Sequence, residues 1–195
     1  MTRTTLIIGA AALLGGCSLG LSTKAPPFLM TLSAANVPSA NEGVLVQAGD
    51  ALSVSVPIAP QSIATTRVPV AQGQTAIAFI KDAVWAEPPP RLFQRLLSET
   101  IRAKNGRTVL DPRQFNAGPT AVLSGQLLRF DIEEKGARAV VVYDATISGE
   151  KDRPVRSRRF EARVPAGTID ARRAGEALNR ASNDVAAQVA DWLKN

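Results

Sequence analysis

Ala83-Val84-Trp85-Ala86-Glu87-Pro88-Pro89-Pro90, running on through Arg91-Leu92-Phe93-Gln94-Arg95-Leu96-Leu97-Ser98-Glu99-Thr100-Ile101, is the stretch whose reading decides the fold. Three prolines bar a helix as far as Pro90, and proline is favourable at a first helical position because its missing N–H would go unused there. Leu92, Phe93, Leu96, Leu97 and Ile101 then recur at helical spacing and give one apolar face. Arg91, Arg95, Glu99 and Arg102 take the opposite face. Asn105-Gly106 stops the helix with residues that tolerate positive φ.

The flanking sequence reads mostly as strand. Upstream, Phe28–Ser33 is a short apolar run that predicts a first strand, Ala34–Gly43 is a loop, and Val44–Gln47 is a strand fragment. Leu52, Val54 and Val56 alternate with Ser53 and Ser55, the period of a half-buried strand that Pro57 ends. Residues 57–69 form a proline-punctuated extended segment. Val68 and Val70, the turn Gln72-Gly73-Gln74, and Ala76–Ile80 predict a β-hairpin. Downstream, Thr108–Leu110 reads as a short strand and Asp111–Pro119 as a turn-rich loop. Ala121–Glu133 and Ala137–Gly149 form a long strand pair, with phase breaks near Gly125 and Tyr143 that predict a bulge in each. Pro154–Val164 supplies a third strand. Asp170 is placed to cap a last helix whose buried stripe is Ala174, Leu178, Ala181, Val185, Val189 and Trp192. The order of elements predicts an α/β (α+β) chain: a single compact domain with a mixed, mostly antiparallel sheet and two amphipathic helices.

At the start of the chain, Arg3 precedes an apolar run from Leu6 to Leu14, and Leu14-Gly15-Gly16-Cys17 follows. This is the anatomy of a secretory signal, and the run falls short of the roughly 20 apolar residues of a membrane span. Cys17 is the only cysteine. The stretch resembles the lipobox of bacterial lipoproteins. That resemblance implies a signal peptide over residues 1–16 cut after Gly16, and a diacylglycerol and an N-acyl chain on Cys17. It also implies a lipidated tether over residues 17–27 and a domain over residues 28–195. Ser18, where an Asp would favour inner-membrane retention, favours the outer membrane, with the domain on its periplasmic face. Several acyl chains anchor firmly where one alone is marginal. The ten residues 18–27 reach at most about 35 Å when extended.

The formal net charge is +6; removing Arg3 with the signal leaves 22 basic and 17 acidic residues, 22 − 17 = +5. Export excludes nucleic acid as the partner and leaves anionic lipid or acidic protein surfaces. With no histidine and one cysteine, histidine-based triads and cysteine zinc sites are excluded. Neither a P-loop, nor G-x-S-x-G, nor G-x-G-x-x-G occurs. Glu133, Glu134 and Asp111 are lone acids near turns, so the chain reads as non-enzymatic with no cofactor beyond the acyl chains. Candidate partner-binding residues are Arg67 in the polar extended segment, Trp85, and Arg156 and Arg158 on one face of a basic strand. For Trp85 the competing reading is core packing; for Arg156 and Arg158 it is a charged edge that prevents aggregation.

Four stretches together resemble the ABC-type transport auxiliary lipoproteins that accompany mammalian-cell-entry (MCE) transport systems, including the paraquat-inducible lipoprotein. They are Phe28–Ser33 behind the lipobox tether, Ala51–Val70, Val84–Ile101 with its Trp-Ala-Glu-Pro, and Ala121–Ser148 with Leu-Ser-Gly-Gln and Arg129-Phe130-Asp131. Phe28 and Met30 depart from the tyrosine usual in the family's opening strand. The resemblance implies a domain similar to the N-terminal domain of TolB and a docking role in lipid traffic. Its partners would be an MCE-domain protein, the associated permease and ATPase, outer-membrane lipid and further copies of the chain. A lipid carrier and a structural envelope-assembly lipoprotein are the alternatives. No catalytic residue is carried over.

Overall fold

One strand, β4 (Ala121–Glu133), carries the architecture. The computed structural model describes residues 25–37, 51–110, 121–150 and 153–194. Before β4 come β1 (Leu52–Val54), β2 (Arg67–Gln72), β3 (Ala76–Val84) and helix α1 (Pro89–Asn105); after it come β5 (Arg138–Ser148), β6 (Arg156–Pro165) and helix α2 (Ala171–Trp192). The six-stranded sheet has the order β3-β2-β4-β5-β6, and β1 also pairs with β4. β1 and β2 lie parallel to β4, whereas β2–β3, β4–β5 and β5–β6 are antiparallel. The sheet is therefore mixed and mostly antiparallel, as the pattern predicts.

Both helices form for local reasons. Pro89 and Pro90 open α1, Gly106 closes it at φ 60°, and the Gly106 N–H donates to the Arg102 carbonyl at 3.0 Å. Leu92, Phe93, Leu96, Leu97 and Ile101 are all buried. Asp170 caps α2 by accepting from the Arg173 N–H at 3.0 Å. That bond, with a second from Thr168, holds the Asp170 carboxyl below the usual carboxylate range. The C-terminal ends of the helices are pinned by Lys104 on Asp191 at 2.8 Å and by the Asn105 amide on the Ala190 carbonyl at 2.9 Å. Between helices and sheet, Trp85 meets Phe130 edge-on at 5.6 Å and Phe93 meets Tyr143 at 5.2 Å.

Several expectations are corrected. Phe28–Ser33 is not a strand. Only Met30 pairs, in a single bridge to Trp85, because Ser33 and Ala35 turn their backbone to α2 instead. Thr108–Leu110 likewise reduces to one bridge between Val109 and Leu52. β1 stops at Val54 and is buried throughout, Ser53 included, while Val56 is exposed, so its alternation does not mark a half-buried strand. Val44–Gln47 and Asp111–Pro119 lie outside the described residues.

The bulge sits elsewhere too. The β4–β5 register shifts between Leu127 and Arg129, opposite Tyr143 and Val142, so one extra residue, Leu128, stands in β4. Gly125 breaks phase for another reason. A Cβ there would meet the Asp144 carbonyl and lie 2.7 Å from both Cε2 and the hydroxyl of Tyr143. The glycine admits the Tyr143 ring, whose hydroxyl donates to the Ser124 carbonyl at 3.1 Å. Burial pushes the Tyr143 phenol well above its ordinary range.

The N-terminal segment is strapped along α2. Phe28 lies under Arg172, Met30 sits against Gly175, Asn179 accepts from the Ser33 N–H, and Asn183 accepts from the Ala35 N–H at 2.6 Å and donates to the Ser33 carbonyl at 2.9 Å. The α2 positions advance by three or four residues as the strap advances by two or three, so the chain leading into Phe28 enters at the N-terminal end of α2.

Two outcomes follow. Gly125→Ala is expected to lower stability by roughly 2–3 kcal/mol, since a backbone carbonyl cannot yield to the added methyl; an unchanged urea midpoint contradicts the close approach. Asn183→Ala removes bonds to the strap and is expected to cost about 1–2 kcal/mol. Hydrogen exchange should then quicken at the Ala35 amide while β4 and β5 stay protected; equal protection at Ala35 counts against the strap.

Candidate interaction site

The helices cover one face of the sheet, and the other carries a lattice of ion pairs. Strand alternation puts Arg129, Asp131 and Glu133 of β4, Val140, Val142 and Asp144 of β5, and Arg159, Glu161 and Arg163 of β6 on this second face. Arg129 grips Asp131 with two bonds, at 3.0 and 2.6 Å. Arg159 grips Asp144 with two, both at 2.6 Å. Arg163 reaches Glu133 at 2.9 Å and Glu161 at 2.5 Å. The Arg159 bond holds the Asp144 carboxyl below its usual range, and the Asp131 bond raises Arg129. Val140 is flanked in register by Asp131 and Arg163, and Val142 by Arg129 and Glu161. Both valines are buried although no helix covers them. The charged side chains lie across them, so the face is wetted rather than greasy. The pairs that stand in solvent, Arg159–Asp144 and those of Arg163, add little stability; their effect is to set what the face can touch.

Toward β2 the lattice gives way to a groove. Residues 52–58 run along the first half of β4, with the Ile58 N–H on the Gly125 carbonyl at 3.0 Å and the Leu127 N–H on the Ile58 carbonyl at 2.8 Å. The chain then turns at Pro60, whose carbonyl accepts from Ile63 and Ala64 at 2.9 Å each, and rejoins β4 only at Val70. The detour and the Leu128 bulge open a groove of about 570 Å³. Ile63, Pro69, Ala71, Ile77 and Leu128 supply its apolar lining, and the Arg129–Asp131 pair sits among its polar groups.

The candidate residues do not converge. Cys17 and Gly16 lie outside the described residues. Arg67 is exposed at the start of β2, with its guanidinium 3.8 Å over the Phe79 ring. Trp85 is only 1% exposed, packed on Phe130, so its ring presents no surface to a partner and the core reading stands; its Nε1 finds no acceptor among the described residues. Arg156 and Arg158 lie across the sheet on β6, an edge strand. Arg156 donates to Glu150 at 2.8 Å and lies over Trp192, and Arg158 lies over Phe160. Glu150 also accepts from Arg107 at 3.1 Å. Burial pushes the Glu150 carboxyl up, yet the two arginine bonds outweigh it and hold the group below its ordinary range. Arg67 is thus separated from Arg156 and Arg158 by β4 and β5. Sequence reasoning passed over Ile77 and the charged lattice. The alternation of Arg129 and Asp131 around buried Phe130 was the available signal.

Among the described residues no cluster of acidic, histidine or cysteine side chains is arranged to hold a metal, and no helix is long and apolar enough to cross a membrane. No curated protein matches the chain. The fold is similar to that of XCC0632 from Xanthomonas campestris, a DUF330 protein, at 18% identity and a TM-score of 0.68, covering 85% of this chain and 94% of that one. A second solved structure, of an uncharacterized protein, is similar at 14% identity and a TM-score of 0.64, covering 84% and 99%. At these identities the likeness is one of fold. The model of the ABC-type transport auxiliary lipoprotein component matches residues 31–190. That span takes in every strand and all of α1 and most of α2, and the chain belongs to the ABC-type transport auxiliary lipoprotein component family.

Proposed function

We propose that this chain is the non-catalytic, lipid-anchored auxiliary lipoprotein of an ABC-type transporter that moves lipid through MCE-domain proteins, and that it docks that conduit at the periplasmic face of the outer membrane. The family match over residues 31–190 is the observation that carries the reading. Supporting it are the lipobox-like Leu14–Cys17, Ser18 behind it, and a sequence without histidine. The charged lattice on the open sheet face suits a protein partner better than a bilayer interior. The strap along α2 directs the tether, and so the membrane, toward one end of the domain.

The groove favours a second reading, a lipid carrier, because about 570 Å³ lies within the range of small-molecule sites. Its charged rim and open side fit a whole acyl chain poorly, so docking remains the conclusion.

The test is co-purification. Native chain extracted from envelopes in mild detergent should enrich an MCE-domain protein, with little phospholipid retained on the purified domain by mass spectrometry. Repeated absence of any MCE-domain protein defeats the docking reading, and stoichiometric phospholipid on the domain establishes the carrier in its place.

A further inference from the structure

The two edges of the sheet are built differently. β6 closes one side with Arg156, Arg158, Arg159, Glu161 and Arg163, charges of the kind that discourage strand pairing. β3 closes the other with Ala76-Ile77-Ala78-Phe79-Ile80, five successive apolar residues. At its far end the outer side is taken by Met30, whose N–H donates to the Val84 carbonyl at 2.8 Å; from Ala76 to Lys81, among the described residues, no strand pairs with it. Ile77 is 54% exposed, a large apolar side chain standing in solvent.

Among the described residues the backbone of this edge is free as well at Ile77 and Phe79. Ala71 faces Ile77 in the β2–β3 ladder, yet the Ala71 carbonyl accepts from the Glu134 N–H at 3.1 Å, on the β4 side. Ala71 and Ile77 are therefore a pair that does not exchange hydrogen bonds, and the N–H and C=O of Ile77 point away from β2. The same holds for Phe79, which faces Pro69, a residue with no N–H to give. Beyond Lys81 the edge ends at Asp82, which has φ 58°.

We infer that the outer edge of β3, from Ala76 to Lys81, accepts an extended strand of a partner protein, with backbone pairing at Ile77 and Phe79. An added strand would set alternate side chains over Ile77 and Phe79 and beside the groove that Ile77, Ala71 and Leu128 line. Charge selects the occupant. Arg67, over Phe79, and Lys81 are exposed, and neither has a carboxylate partner among the described residues. The strand that fits is apolar at alternate positions and carries an acidic residue for Arg67 and Lys81. A second copy fits badly: β3 against β3 brings two sets of Arg67 and Lys81 to one seam, and β3 against β6 sets them beside Arg156 and Arg158. The inference draws on the docking reading only for the identity of the partner.

The test places the photo-reactive p-benzoylphenylalanine at Phe79 in the full chain, in its own envelope. Adducts should map to an extended, acidic segment of another protein. Ile77→Pro removes an N–H that β2 does not use, so it should leave the thermal melt within a few degrees and cut the adduct at least tenfold. The double substitution Arg67→Glu and Lys81→Glu, at exposed positions, should cut it as strongly without touching the fold. Adducts to a second copy or to this chain's own segments overturn the inference, as do adducts that persist in both variants or no adducts at all. If the captured strand belongs to a protein without MCE domains, the edge stands and the docking reading fails.

Discussion

The structure depends on β4 being paired along both of its sides at once. On one side β5 matches it from Val122 to Glu133, with a single slip at Leu128. On the other, β1, the lone bridge from Ile58, and the end of β2 take consecutive portions of the same edge, all running parallel to it. A strand thirteen residues long can accept three short neighbours in series only if the chain between them loops out and returns. That detour, residues 59–66, is the wall of the groove. Backbone hydrogen bonding thus generates a concave feature on the helix-free side, and the apolar residues that line it follow from the register.

The helices impose a complementary constraint. Both lie on the same face, so the core forms there, around Trp85, Phe93, Phe130 and Tyr143. The other face must meet water with the sheet's own side chains. On β4 to β6 it does so with arginine–carboxylate pairs laid over two valines. On β3 it does not, and Ile77 is left in solvent. A polar lattice at one side and an apolar, hydrogen-bond-hungry edge at the other give the domain a direction along the sheet. The strap gives it a second direction, along α2, by fixing where the chain before Phe28 enters. The docking role proposed above would use both: one element held toward the membrane, another offered to a partner.

Much of this was legible in the sequence where local chemistry settles it. The Pro88–Pro90 start, the apolar stripe and Gly106 define α1 without any tertiary contact, and Asp170 does the same for the start of α2. The β2–β3 hairpin declares itself through Gly73, which has φ 70°. Elements defined by distant partners were not legible. Phe28–Ser33 and Thr108–Leu110 have strand-like residues, but each finds one bridge only, and nothing local says how long a partner will be. Burial on β5 is continuous from Ala139 to Tyr143 because the charged lattice covers Val140 and Val142, so period-two reasoning loses its phase there. Asn179 and Asn183 bind backbone some 150 positions away. The interaction surface was half legible. Arg67 was singled out from its segment, whereas its place over Phe79 and the freedom of the Ile77 backbone follow only from the register of three strands.

The proposed role rests on Cys17 as the point of attachment to the membrane. The most direct measurement replaces Cys17 with Ser in cells lacking the native copy and follows membrane fractionation, thermal melting and co-purification of an MCE-domain protein together. The expected result is a domain that melts as the parent does, leaves the membrane fraction and no longer enriches an MCE-domain protein from the envelope. A Cys17→Ser chain that stays in the membrane fraction and enriches that protein as the parent does would contradict the anchored docking role.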